Sequence, residues 1–199
     1  MKVKVIAYSD NICPFCYIGA LRFEKLKQEV DFDIEWRGFE IHPEVPKEGI
    51  PLNMVFQSLD LNKGIEYMET LGKDVGLIIR CTMLCNSHLS LKANEFAKKH
   101  GMFKEFHLAI FKAYFEENRN IGKVNVILDI AESVGLNKQE LEEYLQSDEA
   151  ENILKENSKF AFEHGITGVP TFIIGDTIIV GAQPYDFLKN AILKEQIMI

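Results

Sequence analysis

The sequence has no long apolar run and no excess of positive charge. No stretch approaches the roughly 20 apolar residues that cross a bilayer, so we expect no membrane span. The 199 residues carry 30 acidic and 22 basic side chains, a net charge of −8, and the sequence pI is about 5.2. This acidic balance argues against nucleic acid and anionic membrane as partners.

The start of the chain lacks the pattern of a secretory signal. Such a signal needs a basic start, an apolar stretch of about 7–15 residues and a cleavage site of small residues. Met1 and Lys2 instead lead directly into an alternating strand pattern at residues 3–8. We therefore expect a cytoplasmic protein, in a compartment where thiols are normally kept reduced. A cysteine pair in such a compartment is expected to rest as two free thiols, the dithiol state.

Cysteine is scarce, with four residues that form two close pairs, Cys13 with Cys16 and Cys81 with Cys85. The apolar fraction of 47% and the charged fraction of 26% are typical of an ordinary globular protein. The length suits one domain, or one domain with a sizeable insertion.

The first cysteine pair lies where a strand pattern turns into a helix pattern. Residues 3–8 alternate as a β-strand, and apolar side chains then recur on one helical face. Free backbone N–H groups and the positive end of the helix dipole stabilise a thiolate at such a position. Pro14 suits the first helical turn, where its missing N–H costs nothing. Cys13 and Cys16 can therefore form and break a disulfide, which indicates a redox site.

A zinc site is one alternative for these cysteines, with Cys81 and Cys85 as its other half. Zinc ribbons and knuckles carry both pairs on short turns at regular spacing, whereas here about 64 residues of patterned chain intervene. Two buried core cysteines are the other alternative, against which Pro14 and the strand-to-helix position argue. We expect no metal site and favour the redox interpretation.

The middle of the chain changes from strand to helix patterns. Residues 32–39 alternate as a second strand, and proline and glycine then break regular structure up to Pro51. Residues 52–146 are mostly helical in pattern, although residues 76–85 lack a polar face and are expected to be extended.

Two helix starts within this block have capping signals. Asn86 and Ser87 are expected to cap a helix that runs to about residue 100. Asn137, with Glu140 three residues later, has the pattern of a capping box.

The end of the chain returns to a mixed pattern. A helix from residue 147 is followed by strand patterns at residues 171–174 and 177–180, joined by a Gly-Asp turn. A last helix is expected from Pro184. The order β-α-β, helical block, α-β-β-α predicts an α/β protein with a thioredoxin-like fold and a large all-helical insertion.

The predicted domain organisation follows from this order. Residues 1–51 and 147–199 form a discontinuous thioredoxin-like domain, and residues 52–146 form a helical insertion domain.

The topology and four motifs resemble the DsbA-like thioredoxin superfamily, particularly its cytoplasmic FrnE-type branch. The matching residues are Ser9-Asp10 with Cys13-Pro14-Phe15-Cys16-Tyr17-Ile18-Gly19, Glu35-Trp36-Arg37 with Phe39 and His42-Pro43, Asn86-Ser87, and Gly168-Val169-Pro170 with Gly181-Ala182-Gln183-Pro184. Their order is kept over nearly the whole chain.

The resemblance implies that Pro170 is a cis-proline that lies against the cysteine pair. The backbone of Val169 would then be open to pair with an extended substrate near the sulfur. A proline at the first residue of a strand forfeits no ladder bond, which supports this placement from the sequence itself. A trans proline that shapes the start of the strand is the alternative.

We interpret Cys13 as the attacking thiolate and Cys16 as the thiol that resolves the mixed disulfide. The residues expected to support them are Pro14, Phe15, Val169 and Pro170. The Pro-Phe pair between the cysteines lacks the histidine that periplasmic DsbA-type oxidants often place there. We therefore expect a less oxidising couple than in those enzymes.

Four further residues are auxiliary candidates. Asp10 could tune thiol protonation, although bonding of backbone N–H groups in the turn is the preferred interpretation. Cys81 and Cys85 precede Asn86, which the resemblance places near the active-site side, and we hypothesise that they form an auxiliary thiol pair. In an extended segment they would lie roughly 13 Å apart, too far for a disulfide, whose Cα atoms lie within about 7 Å. Buried apolar cysteines are the alternative.

The predicted function is that of a thiol-disulfide oxidoreductase acting on proteins or small molecules that carry thiols or disulfides. We expect no cofactor, with glutathione left open as a co-substrate, and a homodimer is also left open. Related kappa-type glutathione transferases and 2-hydroxychromene-2-carboxylate isomerases use bound glutathione on small molecules. They generally have serine at the position of Cys13 and lack a partner at Cys16, so both cysteines favour disulfide chemistry. A redox-sensing or chaperone-like binding protein is the third alternative.

Overall fold

A four-stranded sheet organises the computed structural model, which describes residues 2–198. In chain order the elements are β1 (Val3–Ser9), α1 (Pro14–Leu26), β2 (Phe32–Gly38), β3 (Ile50–Pro51), α2 (Leu52–Val55), α3 (Leu61–Leu71), a 3₁₀ turn (Lys73–Val75), β4 (Met83–Leu84), α4 (His88–Lys99), α5 (Phe103–Phe115), α6 (Val124–Ser133), α7 (Lys138–Leu145), α8 (Asp148–Glu163), β5 (Thr171–Ile174), β6 (Thr177–Val180) and α9 (Tyr185–Met198).

The strand order across the sheet is β2-β1-β5-β6. β1 pairs in parallel with β2, which places Ser9 opposite Gly38, and antiparallel with β5, which places Tyr8 opposite Thr171. The parallel pair requires a crossover, which α1 supplies, whereas β5 and β6 form a tight hairpin. This topology, with helices α2 to α8 between β2 and β5, confirms the predicted α/β fold of thioredoxin type.

Helix α1 packs closely on the sheet because both contribute apolar faces. Every second residue of β1 is buried, and Phe23 of α1 meets Phe172 of β5 with ring centroids 4.8 Å apart. Gly19 permits this close approach, since a Cβ atom there would lie 2.8 Å from the Phe172 ring. The contact fixes the start of α1 against the ends of β1 and β5.

A buried arginine connects α1 to two more distant segments. Arg22 is 3% exposed and donates to both carboxylate oxygens of Asp74, at 2.9 and 2.7 Å. It also donates to the carbonyl groups of Leu71, Ala182 and Gln183. The forked guanidinium thereby binds several acceptors at once and joins α1 to the end of α3 and to the loop before α9.

The predicted helix start is confirmed at Asn137, and the start predicted at Asn86 and Ser87 is confirmed through Asn86 alone. Asn137 Oδ1 accepts from the N–H groups of Gln139 and Glu140, at 3.0 and 3.2 Å, which confirms that cap. At the start of α4 the capping bond comes from Asn86, whose Oδ1 accepts from the His88 N–H at 3.1 Å. Ser87 makes no capping bond there.

The expected extension of residues 76–85 is confirmed only in part. A ladder with β3 is limited to Met83–Leu84, and residues 77–82 follow no regular element. The last helix begins at Tyr185, one residue after Pro184.

Within residues 2–198 the structure contains no helix that is both long and apolar enough to span a membrane. The division into domains of residues 1–51 with 147–199 and 52–146 stays a prediction. Met1, on which the prediction about a leader partly depends, lies outside the described residues.

Candidate active site

The turn between β1 and α1 places both cysteines at the start of the helix. Cys13 is the N-cap residue, with extended backbone angles (φ −90°, ψ 116°), and Pro14 is the first helical residue. The Cys13 carbonyl accepts from the N–H groups of Cys16 and Tyr17, at 3.0 and 3.2 Å. Both cysteines are free thiols and both are buried, at 5% and 0% exposure.

The carboxyl group of Asp10 holds this turn together. Its two oxygens accept from the Ile12 N–H at 3.2 Å and from the Ile41 N–H at 2.8 Å. Ile41 lies in the loop after β2, so the carboxyl group connects that loop to the cysteine turn. Asp10 is fully buried, and burial raises the pKa of its carboxyl to about 6, although the two N–H groups oppose this.

The start of β5 lies against the exposed end of the cysteine turn. The Val169–Pro170 peptide bond is cis. The Cys13 thiol donates to the Val169 carbonyl, with sulfur and oxygen 3.6 Å apart. The Thr171 hydroxyl donates to the Gly168 carbonyl at 2.7 Å and fixes the approach to the strand. The structure thus brings residues about 156 positions apart in the chain into contact at one sulfur atom.

The two thiols of the pair differ in acidity. A hydrogen bond from the Cys16 thiol lowers the pKa of Cys13, and the backbone N–H groups of Cys16 and Phe15 lower it further, against the effect of burial. Burial raises the pKa of Cys16 well above its ordinary value, and the neighbouring Cys13 raises it further. The Asp10 N–H, 3.5 Å from the Cys16 sulfur, only partly opposes this. The negative charge of the pair is therefore favoured on Cys13.

An apolar cavity of about 460 Å³ opens beside Cys13. One wall is formed by Pro14, Phe15 and Val169, and the opposite wall by α3 and the end of α5. Its volume falls within the range of small-molecule sites. The sulfur of Cys13 is thus next to a chamber large enough for an apolar ligand or side chain.

The two cysteines of the second pair differ in whether they line this cavity. Cys81 lines the same cavity as Cys13, whereas Cys85 does not. Both are buried beside Tyr114, whose hydroxyl donates to the Met83 carbonyl at 2.9 Å. Burial raises the pKa of Cys81 and raises that of Cys85 to about 11.

Both hydrogen bonds of the Asn86 side chain are made to residues outside the cysteine turn. Its amide donates to the Val45 carbonyl at 2.8 Å and its oxygen caps α4. Among residues 2–198, no group of three or more His, Cys, Asp and Glu side chains is arranged to hold a metal ion.

Two features of the site had no signal in the sequence. The Ile41 N–H that binds Asp10 is a backbone group, which any residue at that position would supply. Tyr114 belongs to an aromatic stripe of α5 whose spacing indicates core packing, yet it also lines the cavity beside Cys81. The packing of α5 against residues 81–84 decides this second role.

The comparisons with known proteins agree with this geometry. Residues 4–193 match the family description DSBA-like thioredoxin domain. The chain is 33% identical to the uncharacterized protein YwbO of Bacillus subtilis (strain 168) over 198 residues, 98% of each chain.

Two solved structures illustrate the similarity of fold. The probable DsbA oxidoreductase SCO1869 from Streptomyces coelicolor matches with a TM-score of 0.88 and 23% identity, over 98% of this chain and 90% of that one. The cytosolic disulfide reductase DsbM from Pseudomonas aeruginosa, in a structure with GSH, matches with a TM-score of 0.69 and 17% identity, over 98% and 100%.

The chain belongs to the family of DSBA-like thioredoxin domains. This confirms the superfamily that the motifs indicate, whereas the FrnE-type branch stays a prediction.

The buried Asp10 carboxyl predicts a specific pH dependence of stability. Its pKa is raised from 3.8 to about 6 in the folded protein, so between these values only the folded state holds the proton. The proton on Asp10 stabilises the folded state fully below about pH 3.8, and this contribution is lost as pH rises through about 6. Relative to Asp10→Asn, the free energy of unfolding should fall by about 3 kcal/mol between about pH 4 and about pH 7.

Denaturant unfolding of the wild type and of Asp10→Asn at several pH values measures this difference. The titration of other groups affects both proteins alike and cancels. A difference that stays constant across the range would contradict the prediction.

Proposed function

We propose that this protein is a thiol-disulfide oxidoreductase in which Cys13 is the nucleophile and Cys16 the resolving thiol. The observation that supports this most directly is the placement of two free thiols in the first turn of one helix, with Cys13 at the N-cap and its sulfur 3.6 Å from the Val169 carbonyl. The lowered pKa of Cys13 and the raised pKa of Cys16 agree with it. A nucleophile must be a thiolate, and the resolving thiol must stay protonated until the mixed disulfide has formed.

The reaction proceeds in two exchange steps. The Cys13 thiolate attacks one sulfur of a substrate disulfide, the substrate S–S bond breaks, and one substrate thiolate leaves and takes a proton from water. Cys16 then loses its proton and attacks the Cys13 sulfur of the mixed disulfide. The second substrate thiolate leaves, and two electrons have passed from the cysteine pair to the substrate. A small thiol such as glutathione would return the Cys13–Cys16 disulfide to the dithiol.

Substrate recognition in this proposal uses one polar group and one apolar chamber. The Val169 carbonyl, 3.6 Å from the Cys13 sulfur, is placed to pair with the backbone of an extended substrate or with an amide of a small one. Pro14 and Phe15 form part of the cavity wall and would contact its apolar part. Pro170, the first residue after Val169, sets the direction of that carbonyl in this scheme.

We propose that this protein is a member of the FrnE-type branch and works in the reducing cytoplasm. There it would act in the direction of disulfide reduction. The fold similarity to DsbM, described as a cytosolic disulfide reductase and seen with GSH, supports glutathione as co-substrate. A glutathione-dependent activity on small molecules is the second candidate, which the apolar cavity beside Cys13 favours.

Serine substitutions at the two cysteines test the assigned roles. Cys13→Ser should abolish exchange with oxidised glutathione, a loss of at least about 1000-fold, because a serine hydroxyl is not ionised near neutral pH. Cys16→Ser should keep the first step and accumulate a mixed disulfide on Cys13, which intact-mass spectrometry detects.

Cys85→Ser, a buried cysteine outside the cavity, is the matched control and should exchange normally. Full turnover by Cys13→Ser would refute the assignment of the nucleophile. A wild-type protein that binds a ligand but shows no thiol–disulfide exchange would instead favour a binding module.

The redox equilibrium with glutathione tests the direction of the reaction. The Pro-Phe pair between the cysteines adds no positive charge beside the Cys13 sulfur, so the reduced form should be stabilised less than in strongly oxidising relatives. We expect a potential nearer that of thioredoxin, about −270 mV, than that of DsbA, about −120 mV. An equilibrium as oxidising as that of DsbA would contradict this expectation.

Of the predicted auxiliary thiol pair, Cys81 and Cys85, the proposal gives a role only to Cys81, because only Cys81 lines the cavity. If Cys81 exchanges with substrate held there, Cys81→Ser should slow turnover several-fold, while Cys85→Ser should leave it unchanged. Stopped-flow exchange kinetics measure both. Unchanged kinetics in the double variant Cys81→Ser, Cys85→Ser would assign the two residues to packing alone.

A further inference from the structure

The turn that carries Cys13 contains a buried asparagine. The Cys13 N–H donates to the Asp10 carbonyl at 3.1 Å, so residues 10–13 form a β-turn in which Asn11 is the first central residue. Side chains at this place in a turn usually point to solvent, because connecting segments run over the surface. Asn11 is instead completely buried, at 0% exposure.

The side chain of Asn11 is hydrogen-bonded to helix α4. Its amide donates to the Ser90 hydroxyl at 2.9 Å, and its oxygen accepts from the Asn94 amide at 3.1 Å. The Ser90 hydroxyl donates in turn to the Ser87 carbonyl at 2.8 Å. Asn94, Ser90 and Ser87 are themselves buried and lie on one face of the helix, at spacings of three and four residues. A buried chain of hydrogen bonds therefore joins the turn to α4.

The direction of this chain is determined at its end by a backbone carbonyl. The Ser87 carbonyl can only accept, so the Ser90 hydroxyl must donate to it. Ser90 then accepts from Asn11, which turns the Asn11 amide toward Ser90 and the Asn11 oxygen toward Asn94. This pattern of donors and acceptors holds the Asn11 side chain in one orientation.

The neighbouring residue anchors the same turn to a different part of the fold. The Asp10 carboxyl accepts from the Ile41 N–H at 2.8 Å, in the loop after β2. Asp10 thus connects the turn to the sheet, whereas Asn11 connects it to a helix 79 positions further along the chain. These two anchors lie just before Cys13, whose sulfur is 3.6 Å from a carbonyl of a third segment, that of Val169.

The stability of the fold does not by itself require a polar chain here. Replacing both partners of a buried hydrogen bond by apolar groups of the same shape can leave stability nearly unchanged. A fully paired buried chain does give the parts that it joins one defined relative position. Asn11 joins α4 to a point two residues before the reacting sulfur, where a defined position matters for chemistry.

We propose that Asn11 is a positioning residue for the nucleophile, which fixes the cysteine turn against α4 through Ser90 and Asn94 and thereby sets the reactivity of Cys13. The inference rests on the proposed function, because it concerns the attack of Cys13 on a substrate disulfide. With the turn fixed, the Cys13 sulfur stays at the start of α1, where the N–H groups of Phe15 and Cys16 stabilise its thiolate. A turn without this anchor can move and lose part of that stabilisation.

Stopped-flow absorbance with the neutral aromatic disulfide dithiodipyridine measures the attack of Cys13. The Cys13 thiolate bonds to one sulfur of the probe, the S–S bond breaks, and the other half leaves as a coloured thiolate that takes a proton from water. The rate of this first release is recorded on both sides of the midpoint of its pH profile. Cys13→Ser, measured in the same way, identifies the signal that does not come from Cys13.

Asn11→Ala should move the midpoint of the pH profile upward by about one unit, the size expected when one hydrogen bond to a charged group is weakened. Far above the midpoint the release should become about 3-fold faster, because a thiolate of higher pKa is the stronger nucleophile. Far below the midpoint it should become about 3-fold slower, because about 10-fold less thiolate outweighs that gain. The two profiles should therefore cross.

Asn120→Ala is the matched control. The Asn120 amide donates to the Lys47 and Glu48 carbonyls, at 3.1 and 2.9 Å, and so joins segments that lie outside the cysteine turn. The variant removes the same chemical group as Asn11→Ala, and its pH profile should coincide with that of the wild type.

Ser90→Ala tests the chain from its other end. It removes the acceptor of the Asn11 amide and leaves every residue of the turn in place. Its midpoint should shift in the same direction, and the double variant Asn11→Ala, Ser90→Ala should shift no further than Asn11→Ala alone, because both changes break one chain. If far-UV circular dichroism shows that Asn11→Ala does not fold, the midpoint of Ser90→Ala decides the question.

An unmoved midpoint in either folded variant would overturn the positioning role. A release slowed by the same factor at every pH would also overturn it, since that result indicates general damage to the site. Additive shifts in the double variant would refute the chain through Ser90. Absence of the first release from the wild type would instead refute the proposed function, so the two failures are distinguishable.

Discussion

The candidate site depends on one electrostatic asymmetry, the unequal stabilisation of negative charge on two neighbouring buried sulfurs. Cys13 receives hydrogen bonds from the Cys16 thiol and from N–H groups of the first helical turn, which lower its pKa. Cys16 lies one turn deeper, where burial raises its pKa. The free N–H donors of a helix lie in its first turn, so two sulfurs that are three residues apart there are stabilised to different extents.

Three separate parts of the chain maintain that asymmetry. The Asp10 carboxyl ties the cysteine turn to Ile41 after β2, and the Val169 carbonyl approaches Cys13 from the start of β5. Gly19 allows α1 to lie close to Phe172, which holds the helix start against the sheet.

Much of the fold was predictable because its signals are local. The alternation of β1 and β2, the Asn137 cap and the β5–β6 hairpin depend on neighbouring residues, and the structure confirms them. The signals for Ser87 and for residues 76–85 were weaker. Of the predicted pair only Asn86 provides the cap, and only Met83–Leu84 forms a ladder, because its partner β3 is far away in the chain.

The sequence by itself determined the chemistry of this protein: a Cys-x-x-Cys pair at a strand-to-helix junction, in a chain whose motif order indicates the DSBA-like thioredoxin family. Only the tertiary structure decided which groups surround the sulfurs. It placed Cys81, but not Cys85, beside the apolar cavity, and the Val169 carbonyl 3.6 Å from the Cys13 sulfur. The physical reason is that local patterns specify helices and strands, whereas contacts between distant elements depend on how their faces pack.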